Sequence, residues 1–203
     1  IGTEAFHALM DIFVQATIKV CDGQALDMEL MQRKKVQVHQ YFRMIEGKTG
    51  ALLSAALGLG AIVGGRLDLL SNMQELGLLM GVAFQMQDDL LDVTAEPENF
   101  GKKKAGDILE GKKTYLWIRT YEQCNTNEQI LMDLAYNGSK AQLNDGWVAS
   151  VIELMYKYKV INEISDLINN KYAQIYDVIG GFEHSYYRGE LHQLIDYLMS
   201  RKK

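Results

Sequence analysis

Residues 159–179 read KVINEISDLINNKYAQIYDVI, and this stretch decides the fold class. Its apolar side chains recur every three or four positions, a spacing that places them on one face of an α-helix. They are Ile161, Ile164, Leu167, Ile168, Tyr172, Ile175 and Ile179. The same period continues through most of the chain, no segment alternates convincingly as a strand does, and the only proline is Pro97. The sequence therefore predicts an all-α bundle.

Turn signals divide this helical pattern into separate elements. The predicted helices span residues 3–22, 29–46, 49–64, 72–94, 113–123, 127–136, 144–157, 159–179 and 187–200. The signals between them are Asp22-Gly23, Ser71-Asn72, Asn137-Gly138, Asn144-Asp145-Gly146 and Gly180-Gly181. Residues 94–112 form the longest irregular piece, and a long loop within a compact domain is more often functional than decorative.

Length and composition narrow the class of protein. The chain has 203 residues, enough for one sizeable core, and we expect a single domain over residues 1–203. Hydrophobic residues make up 48% and charged residues 23%, which excludes a disordered chain.

A net charge of -5 argues against nucleic-acid binding. Cys21 and Cys124 cannot form a secreted disulfide framework, so we expect reduced thiols and a cytoplasmic protein.

The apolar segment from Thr49 to Gly65 raises the question of a membrane span. It reads TGALLSAALGLGAIVGG and carries no charge. A span needs about 20 apolar residues, and this segment is shorter and interrupted by glycines. We therefore expect a buried helix here, and no membrane span.

An acidic motif lies near the end of the predicted helix 72–94. Residues 84–92 read FQMQDDLLD. Asp88 and Asp92 are four positions apart, so their carboxylates lie on one helix face, where like charges repel. A bound cation would offset that repulsion, and carboxylates completed by water and phosphate oxygens suit Mg2+. A solvated acidic face is the alternative for a motif as short as this one.

Basic residues flank the acidic motif on both sides in sequence. Lys48-Thr49-Gly50 precedes it at the predicted start of a helix, and Lys102 and Lys112 follow it. A helix amino terminus that also offers a lysine and a hydroxyl suits a phosphate group. Taken alone, Lys48 is more simply explained as a polar helix cap, and the lysines that follow the motif as a solvated linker.

Taken together in order, these motifs resemble those of the trans-type isoprenyl diphosphate synthases, the family of polyprenyl, farnesyl and geranylgeranyl diphosphate synthases. The matching series is Gly23-Gln24-Ala25-Leu26-Asp27, Lys48-Thr49-Gly50, Phe84-Gln85 with Asp88, Asp89 and Asp92, Gly101-Lys102 to Asp107, and Gly111-Lys112 to Thr114. The resemblance implies the isoprenoid-synthase fold, a helical bundle around a central apolar cavity. It also implies a homodimer that condenses isopentenyl diphosphate with an allylic diphosphate through Mg2+-assisted ionisation.

The resemblance assigns roles to individual residues. Asp88, Asp89 and Asp92 would bind Mg2+. Lys48, Thr49, Gln85 and Lys102 would act in catalysis, and Gln24, Asp27, Phe84, Lys112 and Arg201 would bind substrate.

The chain departs from the family pattern in two respects. The family has two aspartate-rich motifs and an arginine pair, whereas this sequence has one such motif and no adjacent arginines. We therefore expect a carboxyl-terminal part of a synthase, without the amino-terminal helices and inactive alone. The second departure is Ala105, where the family more often has glycine.

Two other functions remain open at this stage. A non-catalytic partner subunit would explain the missing first motif, although Lys48, Gln85, Asp88 and Lys102 are retained. A terpene cyclase of the same fold would ionise a diphosphate without a second substrate. The second metal motif of such enzymes is usually of the NSE type, whereas the corresponding helix here has DDLLD.

Overall fold

The computed structural model describes residues 2–95, 105–137, 143–183 and 186–200. In these ranges the secondary structure is helical, without strands, which confirms the all-α prediction. The helices are α1 (Thr3–Gln32), α2 (Val38–Ile45), α3 (Ala51–Val63), α4 (Leu70–Thr94), α5 (Gly106–Leu109), α6 (Tyr115–Gln123), α7 (Thr126–Asn137), α8 (Asp145–Lys157), α9 (Val160–Gly180) and α10 (Tyr186–Met199). A π-helical turn, Glu46–Gly50, joins α2 to α3, and a 3-10 turn, Leu67–Leu69, precedes α4.

The described residues divide into two compact units. The first unit lies within residues 2–25, 42–85 and 168–200, and the second within 26–41 and 86–167. This division does not test the prediction of one domain over residues 1–203, which stays a prediction.

Helix α1 continues through a position where the sequence predicted a turn. The predicted break at Asp22-Gly23 is wrong, because α1 ends at Gln32 and the chain turns between residues 33 and 37. Gly23 is buried inside the first unit, and a Cβ built on it would lie 2.2 Å from the backbone nitrogen of Lys48. This glycine therefore serves close backbone packing inside a helix, not a turn.

The second wrong break is at Ser71-Asn72, since α4 already begins at Leu70. The chain turns earlier, at Gly64 and Gly65, and Gly65 has a φ of +70°, a conformation that glycine adopts without the Cβ clash. The other described signals agree with helix ends: Asn144 caps α8 by accepting from the Trp147 backbone N–H, and α9 ends at Gly180.

The small-residue segment predicted to be a buried helix forms the π turn and α3 in the first unit. Ala51, Ala55, Gly58, Ala61 and Ile62 are buried there, whereas Leu52 and Val63 are 59% and 65% exposed, so the prediction of a buried helix holds for one face only. In the described part of the chain, every helix is too short or too polar to cross a bilayer.

The described residues of the range 94–112 contain one element that the sequence did not predict. The four-residue helix α5 follows Ala105, and α6 begins after Thr114, whose hydroxyl caps it by accepting from the Trp117 backbone N–H. Both lie in the second unit, where Trp117 and Trp147 are buried with ring centroids 6.4 Å apart. This core fixes the start of α6 and the short connection that leads into it.

Candidate functional site

In the first unit, Thr49 is joined to Gln85 by a hydrogen bond between two half-buried side chains. Thr49 Oγ1 donates to Gln85 Oε1 over 2.8 Å. Thr49 lies in the π turn, and Gln85 lies in α4, 36 positions further along the chain. The structure therefore brings together two of the residues predicted to act in catalysis.

Two glycines allow the π turn to approach α4 closely. A Cβ on Gly81 would lie 2.5 Å from the Cα of Gly50, a distance that no real side chain tolerates. Because Gly81 is one helical turn before Gln85, this approach brings Thr49 within reach of the Gln85 amide. Lys48, the preceding residue in the π turn, is half-buried.

In the second unit, the carboxylate of Asp89 is buried and hydrogen-bonded. Tyr41 Oη donates to Asp89 Oδ2 over 2.8 Å, with Asp89 4% exposed and Tyr41 fully buried. Burial, followed by the charge of Asp89 and the hydrogen bond to it, raises the pKa of Tyr41 well above its ordinary value. The phenol therefore stays protonated and serves as a donor to this carboxylate.

Asp92 holds the start of α5. Asp92 Oδ2 accepts the backbone N–H of Asp107 at 3.1 Å, and the Asp92 carbonyl accepts that of Ala105 at 2.9 Å. Ala105 adopts a left-handed conformation, with φ 58° and ψ 41°, which glycine accommodates more easily than alanine. The family's more frequent glycine at this position thus has a physical reason, and alanine adopts the left-handed conformation here.

Lys112 completes a chain of polar contacts from Asp92. Its ammonium lies 2.6 Å from Asp107 Oδ1 and 3.2 Å from Glu110 Oε2. Burial acts to lower the pKa of Lys112, but its bonds to Asp107 and Glu110 outweigh that effect and raise it. Lys112 therefore stays charged beside the acidic end of α4.

The surroundings of Asp92 disfavour its ionised form. Burial, and then the charge of Asp107, raises the pKa of Asp92. Nearby positive charge reverses such a shift, since it favours the ionised carboxylate.

The donor chemistry of α4 agrees with Mg2+, which takes one or two carboxylates and completes its shell with water and phosphate oxygens. Asp88 and Asp92 are half-buried, which leaves part of each residue exposed, whereas Asp89 is enclosed. Among the described residues, no three His, Cys, Asp or Glu side chains gather closely enough to hold a metal by themselves. Asp88 and Asp92 thus fit two ligands of a magnesium ion, and the ion would depend on substrate oxygens for the rest of its shell.

For three of the remaining predicted residues the structure gives the position and the burial of the side chain. Gln24 is exposed on α1, Asp27 is buried on the same helix at 6% exposure, and Phe84 is half-buried on α4. Lys102 and Arg201 lie outside the described residues, so their predicted roles stay predictions.

Sequence reasoning did not select Tyr41. It lies seven positions before Lys48, two helical turns away, and an aromatic residue at that spacing looks like ordinary core. Its only sequence signal was the tyrosine hydroxyl, which usually finds a polar partner when it is buried.

The chain matches a known protein family and curated relatives. The polyprenyl synthetase family matches residues 3–155. A geranylgeranyl diphosphate synthase from Methanosarcina mazei is 42% identical over 115 residues, covering 56% of this chain and 36% of the relative. One from Sulfolobus acidocaldarius is 35% identical over 159 residues, covering 78% of this chain and 48% of the relative.

The fold has close counterparts among solved structures. The crystal structure of a geranylgeranyl pyrophosphate synthetase from Pyrococcus horikoshii superposes with a TM-score of 0.89 at 28% identity, covering 99% of this chain and 61% of that one. The chain spans about half or less of the two curated relatives described above. The family match covers more than half of the chain, and the chain belongs to the polyprenyl synthetase family.

Proposed function

We propose that this chain is the carboxyl-terminal part of a trans-isoprenyl diphosphate synthase. The whole enzyme would condense isopentenyl diphosphate with an allylic diphosphate, acting in the cytoplasm as a homodimer. Relatives named geranylgeranyl diphosphate synthase support the reaction class. The single aspartate-rich motif and the partial coverage of those relatives support the view that other catalytic groups lie outside this sequence.

The observation that carries this proposal is the contact chain from Asp92 through Asp107 to Lys112. It fixes an ammonium group beside the acidic end of α4, so that cationic and anionic groups are held together there. A diphosphate needs both, because carboxylates would hold a Mg2+ that offsets its charge while lysine would contact it directly.

Asp88 and Asp92 would hold the Mg2+, with Asp89 supporting the helix end through its bond from Tyr41. When bound, the ion supplies positive charge beside the diphosphate leaving group, which favours cleavage of the carbon–oxygen bond. Lys112, and on the family resemblance Lys48 and Lys102, would neutralise the same leaving group.

Thr49 and Gln85 would act on the other product of that cleavage, the allylic cation. The Thr49 hydroxyl donates its hydrogen to Gln85, so the lone pairs of its oxygen point away from Gln85. An oxygen with its lone pairs available can stabilise a developing positive charge. The Gln85 bond would therefore orient Thr49 for this role.

The first experiment measures binding by the 203-residue chain itself. Diphosphate is titrated calorimetrically with and without Mg2+, and we expect Mg2+-dependent binding that Asp88→Asn weakens by about tenfold or more. Asp166→Asn is the matched control, since Asp166 is an exposed carboxylate of α9. Equal affinities for the two variants would contradict the assignment of Asp88.

The second experiment measures catalysis by a longer protein that contains this sequence. Labelled isopentenyl diphosphate, geranyl or farnesyl diphosphate and Mg2+ should give longer prenyl diphosphates, and Asp88→Ala should abolish them. We expect no product from the 203-residue chain alone. An inactive longer protein whose isolated chain still binds Mg2+ and diphosphate would favour a non-catalytic partner subunit instead.

A further inference from the structure

A cleft of about 330 Å³ opens in the second unit, between the connection that follows α1 and helices α6 and α7. Its walls include Lys34, Lys35, Gln37, Lys113, Trp117 and Tyr121. None of the described residues predicted to act in prenyl transfer lines it. A cavity of this size that combines aromatic walls with a few polar groups is typical of a small-molecule site.

Lys113 is the most unusual residue of this cleft. It is a lysine with only 2% exposure, and its Nζ lies 5.0 Å from the centroid of the Trp117 ring. The ammonium also donates to the carbonyl oxygen of Gly111 over 2.7 Å. Burial lowers the pKa of Lys113 to about 8, so its charged form is costly in this environment.

Charge in the cleft is predominantly positive. Lys34, Lys35 and Lys113 line it together with one acidic residue, Glu122. Glu122 is paired with Arg119, at 2.5 Å, and Arg119 also pairs with Glu163. Lys34 is likewise paired, with Asp133 of α7 at 2.7 Å, and the charge of Asp133 also acts on Lys113. The positive character of the cleft therefore comes from Lys113 and the exposed Lys35.

The chemistry of a matching ligand follows from these walls. A phosphate group would accept hydrogen bonds from lysine ammonium groups and offset the cost of the buried charge on Lys113. A flat organic group would pack against Trp117 and Tyr121. We propose that the cleft binds a small phosphate-bearing molecule, whose phosphate contacts Lys113 and whose remaining part lies against the Trp117 ring.

Calorimetric titration of the 203-residue chain tests this directly, with inorganic phosphate and phenyl phosphate as separate probes and without Mg2+. We expect saturable binding at one site, weakened about tenfold or more by Lys113→Met. Lys19→Met removes one exposed lysine of α1 and is the matched charge control. Phenyl phosphate should bind more tightly than inorganic phosphate, because its ring would pack against Trp117, and equal affinities would contradict that contact.

A measurement on the unmodified chain tests the proposal even if the Lys113→Met variant does not fold. Phosphate binding at pH 8 should take up protons, because the anion stabilises charged Lys113, and titrations in two buffers of different ionisation enthalpy report this uptake. Affinity should fall between pH 7 and pH 9 as Lys113 loses its proton. Sulfate, which does not titrate in this range, should show the same trend.

Three results would overturn the proposal. They are the absence of saturable binding of either probe, equal weakening by Lys113→Met and Lys19→Met, and binding without proton uptake at pH 8. None of them bears on prenyl transfer, because the probes are used without Mg2+ and the varied lysines are not among the predicted catalytic residues.

Discussion

The Tyr41 hydroxyl is bonded to Asp89 Oδ2 over 2.8 Å, and both residues are buried in the second compact unit. The Tyr41 ring also meets Tyr115 edge-on at 6.2 Å, and Tyr115 in turn donates to Glu163. The carboxylate of the second aspartate in the DDLLD motif is therefore held by Tyr41 of α2, whose ring packs against Tyr115 of α6. A side chain held in this way contributes to stability as well as to the site.

Tyr41→Phe should destabilise the chain, because it leaves a buried carboxylate without this donor while it keeps the ring. The expected loss is about 1–3 kcal/mol in the free energy of unfolding, measured by urea denaturation. Tyr156→Phe removes the hydroxyl of a tyrosine that is 53% exposed, and it should change little. Equal effects of the two substitutions would show that the Asp89 bond does not stabilise the fold.

The bond between Thr49 and Gln85 should appear as a coupling energy. Thr49→Val and Gln85→Met each remove one partner with little change in volume. In a double-mutant cycle of unfolding free energies, we expect a coupling of about 0.5–1.5 kcal/mol. Additive effects would mean that the 2.8 Å contact does not contribute to stability.

Gly23→Ala should be far more harmful than an ordinary glycine substitution in a helix. The added Cβ would meet the Lys48 backbone nitrogen at 2.2 Å, so two backbones would have to move apart. Loss of several kcal/mol, or failure to fold, is expected from overpacking of this kind.

Gly189→Ala is the matched control for this steric argument. Gly189 lies in α10, and a Cβ there would have no atom within 4 Å among those described. Alanine should therefore stabilise α10 by roughly 0.5–1 kcal/mol. The opposite signs of the two effects, measured by thermal unfolding, would separate close packing from helix propensity.

Stability should depend on pH through Glu128. Its hydrogen bonds from Lys157 and Tyr158 hold the pKa of Glu128 at about 2, against an ordinary value of 4.5. Since the folded pKa is depressed, the stabilisation is complete above about pH 4.5 and is lost as the pH falls towards 2. The unfolding free energy should decline across this window.

Glu128→Gln should flatten that decline, because glutamine does not titrate. Glu153→Gln replaces an exposed carboxylate of α8 and provides the comparison. The two variants and the unmodified chain are compared by urea unfolding at pH 5, 4, 3 and 2. An unchanged slope in Glu128→Gln would refute the assignment of this effect to Glu128.

The sequence predicted the helical class well because apolar periodicity is a local property. Residues 160–180 show this clearly: the predicted helix at 159–179 matches α9 within one residue at each end. Continuity through Gly23 was not predictable in the same way, because the close contact comes from residues about 25 positions away. Glycine is permissive in turns and in tight helix packing alike, so its local signal is ambiguous.

The candidate site was predictable in its residue types and less so in its geometry. The spacing of Asp88 and Asp92 indicated a shared helix face, which α4 provides. The enclosure of Asp89 by Tyr41 depends on a pairing 48 positions apart, and no local pattern reports such a distance. Helix α5 was missed because its four residues are too few to show a period, and its start depends on Asp92.

The π turn Glu46–Gly50 changes how insertions and deletions should be tolerated nearby. Its closing bond runs from the Ala51 N–H to the Glu46 carbonyl, one residue further back than in an α-helix. The wide turn absorbs one surplus residue, so deleting one residue here would convert the bulge into regular helix and leave the residues after it close to their present phase. Regular helix α3 has no surplus residue, and a deletion inside it would rotate everything after it by about 100°, so chain length should be under tighter constraint in α3 than in the π turn.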